Sequence, residues 1–153
     1  MEFVVASDSP SRTEQAGRAL ALGLLDGDVV SLVGDLGAGK TVFARGVLRG
    51  LGVEAVVQSP TFVVERAYGG RLAARHLDLY RIEGDSALRE IGIPERFAEG
   101  GVFLIEWGDR AAKHLPADHI HVAFSEPAPD VRSIRIRGPA RVVEAMSAEG
   151  IGS

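Results

Sequence analysis

The chain has 153 residues, of which 46% are hydrophobic and 25% charged, so it is long enough to bury one sizeable apolar core. Its net charge of −4 excludes a strongly basic surface that would hold nucleic acid unaided, so any contact with RNA would need positive charge from another subunit. The absence of cysteine excludes disulfides and thiolate metal sites, and no apolar run reaches the length of a membrane span. We therefore expect a cytoplasmic protein that does not interact with a membrane.

The first part of the chain predicts a strand, a helix and a second strand. Residues 2–6 are typical of an edge strand, and apolar residues at helical spacing then indicate a helix that runs to about residue 25. Ser11 or Thr13 could cap the start of this helix. Residues 28–33 form a short run rich in β-branched residues, which is typical of a buried strand.

Residues 34–41, Gly-Asp-Leu-Gly-Ala-Gly-Lys-Thr, match the pattern G-x-x-x-x-G-K-[ST] of a phosphate-binding loop. The glycines let the backbone turn its N–H groups towards an anion, Lys40 can place a cation on the terminal phosphates, and the Thr41 hydroxyl can bind Mg²⁺. The loop follows the strand at 28–33 and precedes a helix predicted at 41–51, which is the context that this motif requires. The expected nucleotide-binding residues here are Asp35, Leu36, Gly37, Ala38, Gly39, Lys40, Thr41 and Val42.

The middle of the chain predicts a hairpin and short helical segments. Residues 54–57 indicate a short strand, which is followed by a polar break that contains a proline. Residues 62–67 and 71–78 look extended on either side of a Tyr-Gly-Gly turn, which predicts a β-hairpin. Residues 85–91 are weakly helical, and 94–99 could add one further helical turn.

The last part of the chain contains the second strong strand signature. Residues 102–105 are continuously apolar and end in Glu106 and Trp107, which is typical of a buried strand. Further elements are predicted at residues 109–114, a short helix, and at 119–124 and 131–137, a hairpin. From residue 139 the chain is small and polar, so we expect a flexible tail at 139–153 behind a single domain of residues 1–138.

Two acidic residues follow apolar stretches and are candidates to assist the loop. Glu106 comes after the strand at 102–105, and Asp78 comes after Arg-His-Leu. Because open α/β sheets gather ligands at the carboxyl ends of their strands, either carboxylate could help to hold Mg²⁺ or position water. The alternatives are a solvated carboxylate at a strand end for Glu106 and a loop carboxylate that caps the next segment for Asp78. Thr61, in a predicted loop, could bind the metal and report the γ-phosphate.

The remaining candidate side chains are histidines and a tryptophan. His76 lies two residues before Asp78 and would face the same side of a strand, and His119 and His121 have the same spacing. Two ligands are too few for a dedicated metal site, so we expect structural or surface histidines. A tryptophan is more often a core residue than a ligand contact, but the place of Trp107 after the second buried strand makes it a candidate reporter of the site.

Four stretches of this sequence, taken together, resemble the TsaE (also called YjeE) family, small bacterial ATPases of tRNA threonylcarbamoyladenosine synthesis. The matching stretches are residues 34–41, 59–62 (Ser-Pro-Thr-Phe), 76–81 (His-Leu-Asp-Leu-Tyr-Arg) and 104–107 (Leu-Ile-Glu-Trp). Their order and spacing match from about residue 11 to residue 115. The resemblance implies a single-domain α/β P-loop NTPase fold, with a mostly parallel central sheet, added antiparallel hairpins and flanking helices.

The resemblance also implies ATP and Mg²⁺ as cofactors and assigns roles to residues of the site. Lys40, Asp78 and Glu106 would be the catalytic residues, and the sequence leaves open which carboxylate orients water. Trp107 would lie near the nucleotide. The residues implied around the metal are Thr41, Thr61, Asp78 and Glu106. One departure is Val42, where the family often has a second threonine, and the missing hydroxyl could lower the affinity for nucleotide.

As a partner, the resemblance implies the TsaB–TsaD heterodimer, which transfers threonylcarbamoyl to adenosine 37 of tRNA, so that tRNA would be reached only indirectly. The ATPase would be weak alone, would be stimulated by TsaB–TsaD and would support turnover of that complex. A P-loop small-molecule kinase is the alternative, since it shares the loop, although it would usually need a lid with several arginines. A nucleotide-gated interaction module overlaps with the ATPase hypothesis. A GTPase is disfavoured, because the chain contains no asparagine for an Asn-Lys-x-Asp motif.

Overall fold

The computed structural model describes residues 1–35, 37, 39–55, 57 and 65–151. In chain order the described elements are β1 (Glu2–Ser7), α1 (Pro10–Ala21), β2 (Val29–Val33), α2 (Lys40–Gly50), β3 (Glu65–Tyr68), β4 (Ala74–Asp78), α3 (Gly84–Glu90), β5 (Val102–Glu106), β6 (Ile120–Ala128), β7 (Val131–Arg137) and α4 (Ala140–Ala148). The 3₁₀ helices Glu95–Glu99 and Gly108–His114 flank β5. Within the described ranges, every helix is too short or too polar to span a lipid bilayer.

The described strands form one sheet in the order β1-β7-β6-β2-β5-β4-β3. The four central strands, β6, β2, β5 and β4, run parallel to one another. Antiparallel pairing adds β7 and then β1 at one edge and β3 at the other. The mostly apolar strands β2 and β5 lie in the centre, where both faces of a strand are covered. The predicted α/β fold is confirmed, with its parallel core and its two antiparallel hairpins.

Alternate side chains of β5 point into two hydrophobic clusters on opposite faces of the sheet. Val102 and Leu104 belong to the larger cluster, which they share with residues of α1, α2 and α4. Phe103 and Ile105 belong to the second cluster, which includes Leu88 of α3. Both faces of this strand are therefore covered, and its carboxyl end is held firmly beside the start of α2.

Helices α1 and α2 pack closely together through glycines. A Cβ atom on Gly17 would lie 2.2 Å from the carbonyl oxygen of Phe43, and one on Gly46 would lie 2.1 Å from that of Glu14. These separations are far shorter than van der Waals contact, so only glycine permits this approach of the two backbones. The packing fixes α2, the helix that begins with the last two residues of the glycine loop.

The start of α1 differs from the prediction. Ser9, rather than Ser11 or Thr13, caps the helix, because its Oγ accepts a backbone N–H three residues further on at 3.2 Å. Pro10 then stands at the first helical position, where the absence of an N–H costs no hydrogen bond. Thr13 is buried instead, and its hydroxyl lies 2.7 Å from that of Ser7.

The predicted strand at residues 54–57 is wrong, because the described residues of this segment lie outside any strand. The segment closes the end of α2 instead. The N–H of Val53 donates to the carbonyl of Leu48 at 3.0 Å. The guanidinium of Arg49 donates to the carbonyls of Val53 and Ala55 at 2.7 and 2.8 Å. These backbone groups therefore find partners at the helix end and need no neighbouring strand.

The predicted flexible tail is wrong at residues 140–148, which form α4. The buried residues on its inner face are Val142, Val143 and Met146. Arg141 forms a bidentate ion pair with Asp28, the residue before β2, with both nitrogen–oxygen distances at 2.7 Å. Small and charged residues between the apolar positions weakened the helical pattern, although the spacing of the three apolar residues could have indicated it.

Candidate functional site

The glycine loop joins β2 to α2 at the carboxyl end of the parallel strands. Gly37 and Gly39 have φ angles of 81° and 101°, in the left-handed region that other residues rarely adopt. Gly39 is the N-cap of α2, so the positive end of the helix dipole faces the loop. Leu36 and Ala38, which were also predicted to bind nucleotide, lie outside the described residues. The described part of the loop thus has the backbone geometry that the motif predicts.

The Lys40 side chain is almost fully buried, with 4% of its surface exposed. Its Nζ donates to the carbonyl oxygens of Gly34 and Asp35 at 2.6 and 2.7 Å. The same atom lies 4.4 Å from the centroid of the Trp107 ring. Burial lowers the pKa of Lys40, and the nearby Glu106 carboxylate opposes this shift. The ammonium group is held inside the loop, where phosphate oxygens could replace its two carbonyl partners.

Glu106, the last residue of β5, is the centre of the polar contacts in the site. One carboxylate oxygen, Oε1, accepts the Thr41 hydroxyl at 2.9 Å. The other, Oε2, lies 2.6 Å from Nε2 of His76 on β4. Only 4% of Glu106 is exposed, so the alternative of a solvated carboxylate at a strand end is wrong. Because a buried carboxylate needs such donors, the first turn of α2 and the strand β4 together fix its position.

Asp78 ends β4 and stands directly opposite Glu106 in the parallel register of β4 and β5. Its Oδ1 accepts the backbone N–H of Tyr80 at 2.9 Å, so it does cap the segment that follows it. Burial raises the pKa of Asp78, and the negative charge of Glu106 raises it further, against the opposing effect of the Tyr80 hydrogen bond. The two carboxylates therefore share one edge of the sheet, as the sequence predicted.

Trp107 turns the chain immediately after β5. Its backbone is in the left-handed region, with φ 59° and ψ 41°, which is unusual for a bulky residue. The next residue, Gly108, packs so closely that a Cβ atom there would lie 2.0 Å from Oγ of Ser31 on β2. The half-buried indole lies against Tyr80, with ring centroids 5.0 Å apart. This tight turn brings the ring back over the Lys40 ammonium.

A cleft of about 350 Å³ lies beside the glycine loop and was not predicted from the sequence. It is lined by the turn between β1 and α1, by Val42 of α2, and by Asp130 and Arg132 of the β6–β7 hairpin. The Arg132 guanidinium donates to the carbonyl of Gly37 at 3.4 Å. These segments are far apart in the chain, and no motif or residue spacing in the sequence indicates that they meet. They meet because the order of the strands places β7 close to β2.

The three candidate histidines divide into two groups. His119 and His121 lie at the start of β6 with ring centroids 6.1 Å apart and are partly exposed, as predicted for surface histidines. His76, by contrast, is fully buried and joins the site through Glu106, a role that sequence analysis missed. The sequence feature that could have indicated this role is the two-residue spacing between His76 and Asp78. Thr61, the predicted switch residue, lies outside the described residues.

The donor atoms at this edge of the sheet fit a small hard cation. Thr41 offers a hydroxyl oxygen, and Asp78 and Glu106 offer carboxylate oxygens, which are the ligands that Mg²⁺ prefers. In the part of the chain that the structure describes, no group of three or more histidine or acidic side chains could enclose a metal by itself. A cation here would therefore need further oxygens from a bound phosphate or from water.

A search against protein families matches residues 7–134 to the family described as threonylcarbamoyl adenosine biosynthesis protein TsaE. Among curated proteins, the tRNA threonylcarbamoyladenosine biosynthesis protein TsaE of Bacillus subtilis is 37% identical over 127 residues, which are 82% of this chain and 79% of the relative. The protein of the same name from Treponema pallidum is 37% identical over 130 residues, which are 85% of this chain and 96% of the relative.

Among solved structures, the crystal structure of YdiB from Bacillus subtilis resembles this fold with a TM-score of 0.79. The two chains are 29% identical, and the alignment covers 97% of this chain and 93% of the other. The likeness therefore extends over the whole sheet and its flanking helices.

Proposed function

Because the chain belongs to the TsaE family of tRNA threonylcarbamoyladenosine biosynthesis proteins, we propose that it is a Mg²⁺-dependent ATPase of that pathway. In this proposal it acts with the TsaB–TsaD complex in the cytoplasm and reaches tRNA only through that complex. The observation that carries the proposal is the hydrogen bond from Thr41, in the first turn after the glycine loop, to Glu106 at the end of β5. It unites a phosphate-binding loop with a buried carboxylate at the edge where α/β sheets bind ligands.

The loop and Lys40 would bind the triphosphate. Lys40 exchanges its contacts with the carbonyls of Gly34 and Asp35 for contacts with phosphate oxygens, and the N-terminal end of α2 adds its dipole. A positive charge placed there in advance stabilises the negative charge that develops as the γ-phosphate leaves. The neighbouring cleft, with Val42 and Arg132 in its walls, is the space into which the nucleoside would extend.

Thr41, Glu106 and Asp78 would hold the cation together with phosphate oxygens. Mg²⁺, when bound, neutralises charge on the phosphates and lowers the barrier to attack by water. We assign the positioning of that water to Asp78, because both oxygens of Glu106 already accept hydrogen bonds, from Thr41 and His76. Asp78 is also the more exposed of the two carboxylates, so a water molecule can reach it.

Phosphate release from ATP tests this proposal. The protein alone is expected to hydrolyse ATP slowly in the presence of Mg²⁺, and addition of TsaB–TsaD should raise the rate. Lys40→Ala should abolish both activities, because it removes the ammonium from the loop. A wild-type protein that binds no Mg²⁺-ATP, alone or with TsaB–TsaD, would contradict the proposal. Transfer of the γ-phosphate to a small metabolite would instead support the alternative, a small-molecule kinase.

A further inference from the structure

His76 is a buried histidine with one specific polar contact in the described structure. Its side chain is 0% exposed, and its Nε2 lies 2.6 Å from Oε2 of Glu106. Its other ring nitrogen, Nδ1, is buried and has no hydrogen-bond partner among the residues that the structure describes. A histidine that only filled space in the core would not require such a short polar contact.

The contact defines which ring nitrogen carries the proton. A carboxylate only accepts hydrogen bonds, so Nε2 must be the protonated nitrogen that donates to Glu106. The geometry therefore places a proton on Nε2, directed at the Glu106 carboxylate.

The same contact restricts how Glu106 can turn. Thr41 donates to one carboxylate oxygen and His76 to the other, so the plane of the carboxylate is held from α2 on one side and from β4 on the other. His76 and Glu106 lie on the same face of neighbouring parallel strands, two residues apart in register, because His76 pairs with Leu104. Rigid strands therefore set the position of the donor.

We propose that His76 is a positioning residue, which fixes the Glu106 carboxylate from Nε2 so that its free lone pairs face the cation at Thr41. This inference rests on the proposed function, since it concerns the same metal and nucleotide site. Groups that orient a metal-binding side chain from behind typically change metal affinity by roughly 10- to 100-fold when they are removed. His76 is thus expected to affect the dependence on Mg²⁺ rather than the binding of metal-free nucleotide.

Two substitutions of similar polarity separate this role from simple packing. In His76→Gln the side-chain nitrogen occupies nearly the place of Nε2 and can still donate to Glu106. In His76→Asn the nitrogen occupies the place of Nδ1 and cannot reach it. Calorimetry should compare how Mg²⁺ binds to each protein in complex with a non-hydrolysable ATP analogue. The His76→Asn variant should need roughly 10- to 100-fold more Mg²⁺ than wild type to fill half of the cation sites. The His76→Gln variant should stay within roughly threefold of wild type, and both should bind the metal-free analogue normally.

The proposal would be overturned if wild type and His76→Asn depend equally on Mg²⁺ while thermal unfolding curves show that both proteins are folded. Equal losses of Mg²⁺ affinity in His76→Asn and His76→Gln would also overturn it. Nuclear magnetic resonance of the ring nitrogens of the wild-type protein gives a readout that needs neither variant nor ligand. The expected spectrum has a proton on Nε2 of His76, and an Nε2 that carries no proton would overturn the proposal. A protein with the expected spectrum that binds no Mg²⁺-ATP would instead overturn the proposed function and, with it, the role of His76 at the cation.

Discussion

The Lys40 ammonium and the Trp107 indole are in contact, with 4.4 Å between Nζ and the ring centroid. The two residues come from different segments, since Lys40 begins α2 and Trp107 follows β5. The left-handed backbone at Trp107 turns the ring back over the loop. Any ligand that draws the ammonium away from the ring must therefore change the surroundings of the tryptophan.

Binding of Mg²⁺-ATP should change the fluorescence of Trp107. The chain has one tryptophan, so the emission of the whole protein reports this ring. We expect a saturable change on titration of wild type, because phosphate oxygens would replace the present partners of Lys40. The Lys40→Ala variant should show no such change. A flat titration of wild type, at concentrations where calorimetry detects binding, would contradict the prediction.

Substitution of Glu106 should reduce turnover more than nucleotide binding. Glu106→Gln keeps the shape of the side chain but removes its charge from a buried position beside Thr41. At saturating Mg²⁺ we expect kcat to fall by roughly 100-fold, while the Kd for ATP changes only a few-fold. Glu99→Gln, on the surface, is the matched control and should behave as wild type. Normal hydrolysis by Glu106→Gln would show that its role is misassigned.

Asp78→Asn should stabilise the fold at neutral pH while it lowers activity. The folded-state pKa of Asp78 is raised, so its ionised form costs stability at pH values above that pKa. Asparagine removes this cost and can still accept the N–H of Tyr80. The gain in the free energy of unfolding, measured with urea, should shrink as the pH falls through the folded pKa towards 3.8, where both states become protonated.

Asp118→Asn, on the exposed surface, is the control for the charge change and should leave the free energy of unfolding nearly unaltered. A loss of stability in Asp78→Asn at neutral pH would show that the ionised carboxylate is favourable in the folded site, contrary to the direction of its pKa shift.

The glycine contact between α1 and α2 should be intolerant of a methyl group. Gly46→Ala places a Cβ atom 2.1 Å from the carbonyl oxygen of Glu14, so the helices must move apart. We expect a loss of about 1–3 kcal/mol or more in the free energy of unfolding, together with weaker ATP binding, because α2 carries the loop residues. Gly69→Ala, which faces open space, is the control. Equal stability of the two variants would contradict the prediction.

The helix α4 should contribute strongly to stability. Met146 is fully buried in the larger hydrophobic cluster, so Met146→Ala should cost about 2–5 kcal/mol in denaturant unfolding. Glu144→Ala, on the exposed face of the same helix, should change stability by no more than about 0.5 kcal/mol. If both variants unfold alike, α4 is not packed on the core in solution.

Local sequence patterns predicted the parts of the molecule that depend on local chemistry. The strand β2, the glycine loop and α2 follow one another because of short-range apolar periodicity and backbone freedom, and Glu106 follows from the end of an apolar strand. The contacts of His76 and Arg132 could not be predicted in this way, since each depends on strand order between distant segments. The helix α4 was missed although its buried residues Val142, Val143 and Met146 have helical spacing, because the small and polar residues around them are also typical of a flexible tail.

The pairing of β1 with β7 has a consequence for synthesis of the protein. Glu2 stands opposite Arg137, so β1 pairs with a strand that is synthesised much later than β1 itself. While the nascent chain emerges from the ribosome, β1 and the inner face of α1 stay uncovered until β7 and α4 have been synthesised. Completion of the core is therefore a late event, and chains interrupted before residue 131 would expose apolar surface to chaperones and proteases.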